Sequence, residues 1–106
     1  MTYTELDALV EPGITNLKTL ATSQNANIAS VASSLVSYLA GAALPGMFAG
    51  AWREGYTTDS IKAHVTTVAA GIPSTVDPSQ QNDLIAINAA VTLIDQCLEY
   101  TRTATA

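Results

Sequence analysis

Two side chains in this sequence could move protons or attack an electrophile near neutral pH: His64 and Cys97, its single histidine and single cysteine. A cysteine and a histidine together make a workable nucleophile and base, because the imidazole can take the thiol proton. Here the pair could meet only through tertiary proximity, and no motif around either residue supports that. Each has a plainer reading. Cys97 lies in an apolar-periodic segment beside Leu93, Ile94 and Leu98, where a free cysteine acts as a small buried hydrophobe. His64 sits between Ala63 and Val65, on the edge of the stripe formed by Ile61, Val65 and Val68, and reads as an edge-packed or exposed side chain.

Other chemistries fare no better. A zinc site takes three or four Cys, His or carboxylate ligands at defined spacing, and one Cys with one His cannot build a typical set. Asp77, Asp83, Asp95 and Glu99 follow the last helical segment and its start. Asp95 and Glu99 are one turn apart and read as a solvated acidic edge. No loop has the dense oxygen ligands that calcium requires. The glycine-rich stretch 41–46 lacks the Gly-Lys-Ser/Thr ending of a phosphate-binding loop. The four basic residues, Lys18, Arg53, Lys62 and Arg102, are scattered in a chain of net charge −5. Phosphate backbones are bound by clustered cations, so direct nucleic-acid binding is not expected. The sequence therefore predicts no catalytic residue, no metal, no cofactor and no small-molecule substrate; an enzyme is not expected.

The elements that would carry these residues are helical. The length of 106 residues suits one domain. No useful alternation of apolar and polar residues and no Asn-Gly or Asp-Gly turn signals a hairpin. Thr2 and Glu5 have capping-box spacing, which predicts a short helix over 2–10, ended by Pro12 and Gly13. Ile14, Leu17 and Ala21, then Ile28, Val31, Leu35 and Tyr38, keep one helical phase. Residues 23–27 fit either a polar layer in one long helix or a turn with Asn25 or Asn27 as a cap. The unbroken phase favours one helix over 14–40. Residues 41–46 break the pattern, and Pro45 opens a short helix over 45–54 that Gly55 ends in a left-handed conformation. Thr57 or Thr58 caps a helix over 58–70, striped by Ile61, Val65, Val68 and Ile72, with Gly71 and Pro73 as the stop. Asp77-Pro78 opens the last helix, over 78–101. It carries two adjacent apolar stripes, one through Leu84, Ile87, Val91, Ile94 and Leu98, the other through Ile85, Ala89, Leu93 and Cys97. That arc is wider than one packing seam requires. The expected fold is all-α: a small antiparallel bundle of four to five helices, a single domain with its bundle over 14–101 and a tail over 102–106 beyond it.

Charge is the unusual quantity. Only 12% of the residues are charged, against about 25% in a typical soluble domain. The deficit concentrates between Lys18 and Arg53, where no residue is charged. Three readings compete. Residues 28–52 are long enough to span a bilayer, with Trp52 and Arg53 suited to its interface, but serines, glycines and a Pro-Gly break fall inside. Burial of one central helix is the second reading, although a domain of this size has little mass to cover a helix on all sides. In the third, Ser, Thr, Asn and Ala form a face that packs on other chains, hydrogen-bonding without the desolvation cost of an ion. The third is favoured.

Candidate contact residues follow from the aromatic and apolar side chains available. Met47, Phe48, Trp52, Arg53 and Tyr56 cluster in sequence; Phe48 and Trp52 read first as core side chains, and Trp, Tyr and Arg also commonly anchor interfaces, two roles that are compatible where a small core continues into a neighbour. Tyr38, Ile85 and Leu93 join them from the long helices. The expected role is a structural or assembly protein acting through protein–protein contacts, with copies of itself or other assembly proteins as partners, in a homo-oligomer or larger shell. A viral particle component (capsid decoration, adaptor or head–tail joining protein) fits that composition. Residues 1–5 lack the basic and apolar regions of a secretory leader, and such a component would pass from host cytoplasm to virion. The alternatives are a small membrane-embedded, holin-like protein and a soluble acidic inhibitor or regulatory binding protein.

Overall fold

A computed structural model of the chain describes residues 2–42 and 55–104. Among them are four α-helices: α1 (Tyr3–Leu20), α2 (Ala26–Ala42), α3 (Thr58–Ala69) and α4 (Gln81–Tyr100), the last preceded by a 3₁₀ turn over Pro78–Gln80. Each helix runs antiparallel to the next. Ser23, after α1, meets Asp83 at the start of α4. Tyr38, late in α2, meets Tyr56 just before α3. Thr58 and Lys62, early in α3, meet Thr101 and Glu99 at the end of α4. The result is an up-down-up-down bundle in which α1 packs most extensively on α4 and α2, while α3 makes smaller contacts with α2 and α4. The small all-α antiparallel bundle expected from the sequence is the observed fold.

Two boundaries differ from expectation. Pro12 and Gly13 do not end a helix over 2–10; α1 runs through them to Leu20. Leu6, Val10, Gly13, Leu17 and Leu20 are buried at spacings of three and four, forming one continuous stripe. A helix-interior proline typically costs about 3 kcal/mol through its missing N–H and its clash with the carbonyl four residues earlier. Ala8 and Pro12 are both exposed, so water can reach the carbonyl that loses its partner. Burial of the leucines and Val10 on the opposite side offsets the rest. Gly13 is explained by proximity: a Cβ there would stand 3.0 Å from Leu93 Cδ2, so the missing side chain lets α4 lie close.

The expected continuous helix over 14–40 is instead two helices. The Ala21 N–H still bonds to Leu17, and the chain then turns through Thr22 and Ser23. Asn25 starts α2, its Oδ1 accepting the N–H groups of Asn27 at 3.0 Å and Ile28 at 3.1 Å. The turn is fastened at long range. Ser23 Oγ donates to Asp83 Oδ2 at 2.8 Å, and Asn25 Nδ2 donates to Gln80 Oε1 at 3.1 Å. Asn25 therefore serves α2 and α4 at once. Asn25→Ala is expected to destabilise the fold by about 1–2 kcal/mol, while Asn27→Ala, at an exposed position, stays within about 0.5 kcal/mol. Equal urea midpoints for the two variants would contradict this assignment.

The other elements begin where the sequence places them. Thr2 and Glu5 form a reciprocal capping box on α1, and Thr57 with Ser60 forms another on α3. Gly55 has φ +90°, the left-handed region that glycine enters without a Cβ penalty. Asp77 precedes Pro78 as expected, but its backbone carbonyl, not its side chain, closes the turn by accepting the Gln80 N–H. The tail over 102–106 is not wholly beyond the fold: Arg102 bonds to Asp59, and Ala104 packs on the core. The short helix expected over 45–54 lies outside the described residues.

The core fills the space between α1, α2 and α4. Leu6, Leu17, Ile28, Leu35, Ile87 and Ile94 are fully buried, and α3 adds Ile61 and Val65. Of the two stripes on α4, the first faces inward with Val91 partly buried. The second divides: Cys97 is fully buried, Leu93 half-buried, and Ala89 and Ile85 exposed.

Candidate functional site

The two reactive side chains are both engaged in packing. Cys97 is buried in the core, and burial pushes its thiol above the usual range, against thiolate formation. His64 is half-buried on α3 and stacks on Tyr38 of α2, ring centroids 3.7 Å apart and planes 14° from parallel. Tyr56 meets Tyr38 edge-on at 5.8 Å. These three rings tie the end of α2 to the start of α3. Desolvation and Tyr56 raise the Tyr38 hydroxyl above its ordinary value, so it stays a neutral phenol through the physiological range. Offset and edge-on ring pairs contribute about 0.5–1.5 kcal/mol each beyond their buried area, which makes this cluster a packing feature as it stands.

The acidic edge on α4 is not simply solvated. Glu99 Oε1 takes a hydrogen bond from Lys62 Nζ at 2.5 Å, and Glu99 Oε2 takes one from Arg102 Nε at 3.1 Å. Arg102 also pairs with Asp59. Beside them, Thr58 and Thr101 join hydroxyls at 2.9 Å. Asp95, one turn before Glu99, has a buried Oδ1 without a hydrogen-bond partner. The bonds from Lys62 and then Arg102 hold the Glu99 carboxyl below its ordinary range. A lowered carboxylate pKa gives stability that is present above the unfolded-state value, about 4.3 for glutamate, and lost as pH falls through the lower folded value. The Glu99→Gln variant is therefore expected to show a shallower loss of stability below about pH 4.3 than the parent. Identical acid limbs in urea titrations at successive pH values would refute a stabilising role for this pair. The side chains of Lys62, Glu99, Arg102 and Asp59 are all solvent-accessible, and screening keeps such pairs modest.

Among the described residues, no three His, Cys, Asp or Glu side chains gather as metal ligands would. A shallow pocket of about 300 Å³ opens where the α1–α2 turn meets the start of α4, lined by Thr19, Thr22, Ser23, Gln24, Gln80 and Asp83 among others. Apart from Leu20 its lining is hydroxyl, amide and one carboxylate, and Asp83 is already engaged by Ser23.

The contact residues expected from sequence are distributed as follows. Tyr38 and Tyr56 come together on α2 and before α3, both half-buried. Ile85 is 59% exposed, and Leu93 is half-buried against Gly13. Met47, Phe48, Trp52 and Arg53 lie outside the described residues. Sequence reasoning passed over two further exposed apolar side chains, Leu9 at 39% and Tyr100 at 44%. Leu9 was hidden because the short first helix was expected to end near it. Tyr100 falls in the Ile85 stripe when that stripe is continued by the spacing 89, 93, 96, 100 instead of through Cys97. No family model matches the chain, no curated protein matches it, and no solved structure matches it.

Proposed function

We propose that the chain is a structural or assembly protein that works through contacts with other protein chains, its own copies foremost, in a homo-oligomer or larger shell. A viral particle component of the decoration, adaptor or joining kind is the form of that role best suited to the composition. One observation carries the reading. Helix α2 has 17 residues and no charged one, yet it is not enclosed: Asn27, Ser30, Ser33, Ser34, Ser37 and Ala40 are exposed along it. A helix with a wet face ordinarily places charge there. Small neutral side chains on that face favour close approach of another backbone, and their hydroxyls can pair across a contact without desolvating an ion.

The competing readings find less support. Among the described residues no helix is long and apolar enough to cross a membrane. An inhibitor would present free carboxylates as an acidic face, whereas Asp59 and Glu99 are taken up by Arg102 and Lys62. A thiol buried in the core and an imidazole stacked on a tyrosine offer no nucleophile–base pair.

The test is the mass of the purified chain by light scattering in detergent-free buffer, over a range of concentrations and salt. Assembly across neutral faces predicts a multimer whose mass is little changed by added salt, because screening acts on charges. A monomer that persists at every concentration would overturn the proposal.

A further inference from the structure

We draw no further inference here: the strongest candidate, the pocket of about 300 Å³ where the α1–α2 turn meets the start of α4, has Thr22, Ser23, Gln80 and Asp83 already bonded within the chain, and nothing in the structure points to what would occupy it.

Discussion

Ile94→Ala is expected to cost about 3–4 kcal/mol of folding stability. Ile94 is fully buried at the middle of α4, among Ile87, Ala90, Cys97 and Leu98 of its own helix and the leucines of α1 and α2. Truncation removes three carbons from contact with their neighbours. The bundle cannot close the gap without shifting a helix, so a cavity term adds to the lost transfer free energy. A domain of this length holds about 5–15 kcal/mol in total, which makes the loss a large fraction of the whole. Urea titration should show the midpoint falling by about 2 M with an unchanged slope. Ile94→Val, which deletes one methyl group, should lose only about 1 kcal/mol. If the alanine variant lost no more than the valine one, Ile94 would not occupy a packed core.

Gly13→Leu should have the next largest effect, a loss of about 2–3 kcal/mol. The first carbon of any side chain at position 13 stands 3.0 Å from Leu93 Cδ2 and 3.9 Å from the Ala90 carbonyl. With alanine the far end of Leu93 can yield, and the gain in helix propensity of about 1 kcal/mol offsets the tight contact, leaving stability nearly unchanged. Leucine adds three more carbons at a tight contact between α1 and α4, and the two helices must part along their most extensive contact. Thermal unfolding should fall by about 10–20 °C. The specific check is the double variant Gly13→Leu/Leu93→Ala. Removing the opposing side chain should restore part of the loss, because the two substitutions share one volume. Strict additivity would show that the damage arises elsewhere than at the Gly13–Leu93 contact.

These two positions mark what the sequence could and could not disclose. Ile94 was legible because its stripe is long, regular and bounded by strong signals. Asp77-Pro78 starts the helix, and the apolar spacing continues to Leu98. Gly13 is misleading in sequence because a Pro-Gly pair is ordinarily a stop. Nothing local reveals that Pro12 faces solvent while Gly13 receives Leu93 from a helix far along the chain. The turn at 21–25 was obscured by coincidence. Ala21 and Ile28 are one heptad apart, so two helices joined by a turn can imitate one helix in phase. The bonds that settle it, from Ser23 to Asp83 and from Asn25 to Gln80, depend on partners only the folded chain supplies.

The exposed faces proposed for contact rest on signals of the same kind. The doubled stripe on α4 pointed to Ile85, and the absence of charge pointed to α2. The stacking of Tyr38 on His64 and the pairing of Lys62 with Glu99 could not be foreseen, because each depends on the register between α3 and its neighbours. Periodicity within one helix says nothing about that register.

The manner in which α3 is fastened has a consequence for the lifetimes of different parts of the bundle. Its fully buried side chains are Ile61 and Val65 alone, and much of its remaining hold is polar or ionic, through the Thr58–Thr101 hydroxyls and the groups joining Asp59 and Lys62 to Arg102 and Glu99. Local opening free energies follow the apolar contact each segment makes. The amide protons of α3 should therefore exchange with solvent deuterium sooner than those of α1 and α4. Raising the ionic strength should hasten exchange in α3 while leaving the slowest protons of the other helices unchanged. The bundle would then behave as two units, a three-helix body that opens only on global unfolding and a fourth helix whose residence on it is shortened by salt.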